Sequence, residues 1–215
     1  MSHDVAHTPA GAGRHRSRQA PIVELADEGD QSGTRISVEL REGRFRHVGN
    51  DRPGGGRIPA SGTGRWEAEG VATIRTLRTD DWDGWSHLWR GYLAFYRATL
   101  DDLTTQSTFE RLCAGQEGMF GLLALDDAGR AIGMANCVVH ATTWSRQPKC
   151  YLEDLFVDPA ARGQDVGRAL LVAVKEAGTE RGADQVYWHT QQYNGRARSL
   201  YDQVGRPTSF VVYEM

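Results

Sequence analysis

The chain has 215 residues, 40% of them apolar and 25% charged, which suits one globular domain or one domain with an extension. Its net charge of −3 gives no general support to phosphate-backbone binding, and no apolar run approaches the ~18 residues needed to cross a membrane. Three cysteines, Cys113, Cys137 and Cys150, stand far apart and in no metal-ligand spacing, a sparse, odd set that favours reduced thiols in a cytoplasm over a disulfide framework.

Composition changes near residue 70. Residues 1–70 hold 19 apolar residues and 12 of the 25 glycines, and their 10 basic and 10 acidic side chains cancel. Such a segment buries too little apolar area to offset the entropy of ordering it, so a mostly disordered extension is expected over 1–70 and a folded domain over 71–215. Within the extension, residues 36–40 alternate like a strand and 44–48 answer them across Glu42-Gly43, although a lone hairpin is marginal in water. Zero net charge makes a nucleic-acid-binding tail a poor reading of this segment.

Residues 71–77 read as a strand. Thr79 or Asp80 is then expected to cap a helix whose apolar positions Trp82, Trp85, Leu88, Trp89, Tyr92, Phe95 and Tyr96 follow the spacing of one helical face. A short helix over 105–113 follows. Residues 120–125 and 131–139 read as strands joined by the hairpin turn Asp126-Asp127-Ala128-Gly129. Residues 150–157 form a strand closed by Asp158-Pro159, and 166–177 are apolar nearly all round, as a helix lying on a sheet is. A strand over 186–190, a helix striped by Ala197, Leu200, Tyr201 and Val204, and a strand over 210–213 complete the order β-α-α-β-β-β-α-β-α-β. That order predicts an α/β domain: a mixed sheet with helices on both faces.

The chemistry gathers around residues 150–171. The strand Cys-Tyr-Leu-Glu-Asp-Leu-Phe-Val runs into the loop Asp-Pro-Ala-Ala-Arg-Gly-Gln-Asp, which opens the apolar helix Val-Gly-Arg-Ala-Leu-Leu. Free backbone N–H groups at that helix start, flanked by Arg162 and Arg168, make an anion site by geometry, and a pyrophosphate is the obvious guest. This stretch resembles motif A of the Gcn5-related N-acetyltransferases (GNAT), in which a strand ending in Val-Asp-Pro precedes an Arg-x-x-Gly-x-Gly loop. Downstream, Asn194-Gly195-Arg196-Ala197-Arg198-Ser199-Leu200-Tyr201 is similar to that family's Asn-x-x-Ala-x-x-Leu-Tyr segment. The likeness covers about residues 71–215, with both motifs in the family's order. The aromatic helix and the Leu-Glu-Asp strand look like the diamine, polyamine and histone-type branch.

The resemblance implies a GNAT fold, with a mostly antiparallel sheet splayed at its central strands, and acetyl-CoA as cofactor. It places the cofactor along Leu155, Phe156 and Val157. The loop residues Arg162, Gly163, Gln164 and Asp165, with Val166, Gly167 and Arg168 of the helix start, then hold the pyrophosphate. Asn194 and Ala197 complete the cofactor set, and no metal is implied. The acceptor is a small-molecule or lysine-bearing primary amine, polyamine-, lysine- or amino-sugar-like; a homodimer is common in such proteins. Amine attack requires a neutral nitrogen, and an amine of pKa ~10.4 is neutral about once in 2,500 at pH 7, a deficit of roughly 4.6 kcal/mol. A carboxylate beside the nitrogen can attract the cation and then take its proton, directly or through water. Resemblance assigns this to Glu153, a substrate contact to Asp154, and protonation of the leaving thiolate to Tyr201; Trp85 and Trp89 are offered as walls of the acceptor pocket. Glu153 and Asp154 are adjacent, so a regular strand sends them to opposite faces unless a bulge re-aims one.

Asp165 departs from the pattern, standing where the family loop has its first glycine. Asp tolerates a left-handed backbone, so the turn is expected to survive, and its carboxylate could cap the following helix. The same charge repels a pyrophosphate, so weakened cofactor binding is expected. The alternative this leaves open is a degenerate GNAT domain that binds an acyl-CoA or a partner with little catalysis.

Overall fold

The computed structural model describes residues 45–47, 64–68 and 70–215. Seven strands among them form one sheet in chain order: β1 (Phe45–His47), β2 (Arg65–Ala68), β3 (Ala72–Thr76), β4 (Met119–Leu125), β5 (Ala131–His140), β6 (Lys149–Val157) and β7 (Gln185–Trp188). Every pairing is antiparallel except that of β6 with β7. Helices α1 (Trp82–Tyr96) and α2 (Asp102–Ala114) cover one face. Helix α3 (Val166–Glu180) covers the other, with α4 (Gly195–Val204) packed beside it. The expected mixed sheet with helices on both faces is the observed one.

Each face has its own core. Trp85, Leu88 and Trp89 of α1 meet Phe109 and Leu112 of α2 over Leu123, Met134 and Phe156 of the sheet. On the opposite face Val166, Leu170, Ala173 and Val174 of α3 lie on Ile74, Leu122, Ala135 and Cys150. Alternation along the strands divides the residues between them: Met134 faces α1 while Ala135 faces α3.

Three expectations change. The boundary at residue 70 falls inside the β2–β3 hairpin, because Trp66 of β2 is fully buried in the α3-side core and pairs with Ile74. Strand β1, within the anticipated hairpin arm 44–48, has Arg65–Ala68 as its described partner; residues 36–40 and the remainder of 1–63 lie outside the described residues. Neither Thr79 nor Asp80 caps α1. A single 3₁₀ turn, Thr79–Asp81, precedes it, and the Asp81 carboxylate accepts from the Arg78 backbone N–H at 2.8 Å and from both ends of the Arg75 guanidinium at 2.6 Å. Finally, residues 210–213 form no strand: Phe210 is 84% and Tyr213 89% exposed. A β-prone run becomes a strand only against a ladder partner and a face to bury, and this one meets neither among the described residues. Elsewhere the elements fall within a few residues of expectation, α2 starting earlier at an Asp101 cap that accepts the Thr104 N–H at 2.7 Å.

Candidate active site

Strand β6 carries the decisive irregularity. Its register against β5 runs Cys137 to Leu152 and then Asn136 to Asp154, so Glu153 is an extra residue, a β-bulge. Before the bulge, Cys150 and Leu152 point into the α3-side core. After it, Phe156 points into the α1-side core, while Leu155 and Val157 pack on the α3 side. The bulge thus exchanges the faces of the strand in mid-course. Pairing with β7 stops at Leu152–Trp188, at the same place, so residues 153–157 carry no strand on that edge among the described residues and the sheet splays.

A cleft of about 420 Å³ opens against this unpaired edge. Its floor is Leu155, Phe156 and Val157, one wall is the 162–168 loop and the start of α3, and the other is Asn194, Ala197 and Tyr201 with their neighbours on α4. The first intrahelical bond of α3 runs from Ala169 N–H to Asp165 C=O at 3.0 Å, so the N–H groups of Val166, Gly167 and Arg168 have no helical carbonyl to meet. Gly163, with φ +85°, needs the left-handed freedom of glycine. A Cβ on Gly167 would stand 3.2 Å from Leu200, so glycine there lets α4 close against α3.

Asp165 adopts φ +60°, the left-handed turn that the sequence suggests for it. Its side chain does not cap α3. It is 73% exposed and stands 3.8 Å from the Arg168 guanidinium, leaving the helix-start N–H groups to another acceptor. Arg162 is committed in part: its Nε–H donates to the Val157 carbonyl at 3.0 Å and its guanidinium stacks over Phe156. Gln164 lies outside the cleft lining, with its amide on the Ala160 carbonyl.

Asn194 is the N-cap of α4, its Oδ1 accepting the Ala197 N–H at 3.4 Å. Tyr201 lines the cleft beside Trp188, and burial, followed by the nearby Tyr96 phenol, pushes its pKa up to about 12.

The carboxylates separate. Glu153 is exposed in the bulge, and its pKa is raised by partial desolvation and then by the Asp154 charge, against an opposing pull from Arg111. Asp154, expected to meet substrate directly, is buried under α1 at 9% exposure. It accepts the Asn136 amide N–H at 3.0 Å, and burial raises its pKa against the opposing pull of its polar neighbours Tyr92 and Asn136. Trp85 and Trp89 are core residues at 0% and 6% exposure, not pocket walls. The walls are Tyr92, Phe95 and Tyr96, further along α1. The signal was present: Tyr92 and Tyr96 lie seven residues beyond Trp85 and Trp89, where the same stripe leaves the core.

A sequence profile of the acetyltransferase (GNAT) family matches residues 74–205. The D-amino-acid N-acetyltransferase HPA3 of Saccharomyces cerevisiae is 34% identical over 142 residues, 66% of this chain and 88% of the relative. The chain belongs to the GNAT family. A thialysine N-epsilon-acetyltransferase of Bos taurus is 34% identical over 64 residues, 30% of this chain and 37% of that one. Among solved structures, AAC(6')-Iy in complex with the bisubstrate analogue CoA-S-monomethyl-acetylneamine superposes with a TM-score of 0.59 at 22% identity, covering 66% of this chain and 95% of the other, a likeness of fold. The protein is an acetyl-CoA-dependent N-acetyltransferase of this family.

The cleft fits that cofactor. GNAT chemistry needs a place for a pyrophosphate and an extended arm, and here, among the described residues, three helix-start N–H groups with no helical carbonyl to meet stand by a strand edge left unpaired beyond Leu152. Replacing Asp165 with Asn keeps the left-handed turn and removes one exposed charge from the rim. Coenzyme A is expected to bind about 3–10-fold tighter to Asp165→Asn in calorimetry, with the gain shrinking as salt rises. Equal affinities at low salt would mean that the carboxylate is remote from the phosphates.

Proposed function

We propose that this GNAT enzyme acetylates the primary amine of a small molecule, an amino acid or diamine in the first instance, by direct attack within a ternary complex. The observation that supports the reading is the bulge: it makes Glu153 the extra, exposed residue of β6 at the point where pairing with β7 ends, next to the cleft floor of Leu155, Phe156 and Val157. Glu153 takes the proton of the incoming ammonium, directly or through water. Its pKa, raised by partial desolvation and the Asp154 charge, makes it a stronger base than an ordinary carboxylate. Tyr201, protonated far above pH 7, supplies the proton that the departing thiolate needs. Amino-acid amines are favoured because the relatives aligned above act, by name, on D-amino acids and thialysine. The free, mostly buried thiols suit a reducing compartment, and we place the enzyme in the cytoplasm.

Thiol release from acetyl-CoA should be followed with D- and L-amino acids, thialysine, spermidine and neamine. At least one should exceed the rate without acceptor; coenzyme A binding with no acceptor-dependent release from any would sink the proposal. Tyr201→Phe is expected to lower kcat about 100-fold with little change in the KM for acetyl-CoA. Because its pKa is raised, Tyr201 stays a donor through the ordinary phenol range, so the wild-type basic limb attributable to it lies above pH 10.

A further inference from the structure

We propose that the buried series Trp85, Asn136 and Asp154 is a register lock: it decides which of two neighbouring carboxylates is pushed out of the β6 ladder, and so makes Asn136 the positioning residue of Glu153. This rests on the reading of Glu153 as the proton acceptor and assigns what puts it there.

The sheet by itself does not choose. On one side of the irregularity Cys137 pairs with Leu152, and on the other Ala135 pairs with Leu155. Between these pairs β5 offers Asn136 alone, while β6 offers both Glu153 and Asp154. Either carboxylate could stand opposite Asn136 while every other pair of the two strands stays as it is. The choice falls to side chains. Trp85 Nε1 lies 3.1 Å from Asn136 Oδ1. An indole N–H only donates, so the Asn136 amide has one permitted orientation, oxygen toward α1 and NH₂ toward β6. That NH₂ needs an acceptor, and Asp154 Oδ2 meets Asn136 Nδ2 at 3.0 Å.

Length selects between the two acids. Trp85, Asn136 and Asp154 are all buried, and Trp85 stacks on Trp89 with centroids 5.3 Å apart, so the space under α1 is filled. A carboxylate on a single methylene reaches the amide here; Glu153 in the same place would force one methylene more into a packed interior. Without the Asn136 donor, a carboxylate buried at this point would be driven back to water. Asp154 therefore turns inward, and the longer Glu153 is left exposed where pairing with β7 ends.

The experiment reads which residue is outside. Glu153→Cys places a thiol in the bulge, and its alkylation by N-ethylmaleimide at mildly alkaline pH is followed by peptide mass spectrometry. Cys137 and Cys150, both buried, report any general loosening. In this parent the new thiol should react as an exposed one. Asn136→Asp keeps an acceptor for Trp85 but sets two carboxylates face to face, and Asn136→Leu strips Asp154 of its donor. In both, Asp154 is expelled and position 153 turns inward, so alkylation there is expected to slow about 10-fold or more. Loss of structure would act the other way and speed it. Adding Asp154→Asn to Asn136→Asp restores donor and acceptor in exchanged places and should return the parent rate. Slowing in either single variant, with Cys137 and Cys150 unreactive and the exchanged pair at the parent rate, upholds the lock. Unchanged rates in both single variants, an exchanged pair that stays slow, or exposure of Cys137 and Cys150 in both single variants would overturn it. Alkylation needs no turnover, so the expected pattern beside a fully active Glu153→Gln would remove Glu153 as the base and leave the lock standing.

Discussion

Replacing Glu153 with Gln is expected to lower kcat by about 10²–10⁴-fold while leaving coenzyme A affinity unchanged. The substitution preserves shape and removes the only feature that general-base catalysis needs, an ionisable oxygen. Glu153 does not line the cofactor cleft, so the cofactor does not feel the change. The pH dependence sharpens the expectation. A base works only when deprotonated, and partial desolvation with the Asp154 charge raises the Glu153 pKa, so wild-type activity should fall with acid at a pH above the ordinary carboxylate range. That limb should vanish in Glu153→Gln. A variant within threefold of wild type would move the base elsewhere; a retained limb would do the same, and Asp154, the other carboxyl of this strand with a raised pKa, would be the next to test.

Truncating Trp66 to Ala is expected to destabilise the fold by about 3–5 kcal/mol, the range for deleting a fully buried aromatic side chain. Trp66 belongs to β2, pairs with Ile74 and fills the α3-side core beneath the sheet. Urea unfolding should show a lower midpoint with an unchanged slope. A loss below 1 kcal/mol would mean that β2 is peripheral and that the folded domain begins near residue 71 after all.

Trp66 also shows where sequence reading stopped short. A four-residue strand in a glycine-rich, charge-balanced segment carries almost no periodic signal, and burial of one large ring by distant strands cannot be seen from its neighbours in the chain. The helices and central strands were legible because their apolar spacing repeats over seven to fifteen residues. The cofactor loop was legible because glycine and the left-handed Asp165 leave a local trace. The acceptor side was less so. Trp85 and Tyr92 occupy the same stripe on α1, and only the depth of α1 over the sheet decides that the first is core and the second cleft. Asp154 likewise needed Asn136, eighteen positions away and on another strand, before its burial made sense. The bulge at Glu153 could be entertained from two adjacent carboxylates in an apolar strand, but its location required the register with β5.

That one surplus residue makes the proposed proton acceptor separable from the fold. Glu153 stands opposite no residue of β5, so deleting it would restore the two-residue rhythm of β6 and turn nothing over: Leu152 would stay on the α3 side, Asp154 and Phe156 under α1, Leu155 and Val157 on the α3 side. Were it instead kept and drawn into the ladder as an ordinary strand residue, every later side chain would change faces, and Asp154 would be thrust among the aliphatic side chains of α3. Inactive descendants of this protein can accordingly shed the acceptor by a one-residue deletion in the Leu-Glu-Asp segment as well as by a change of its letters.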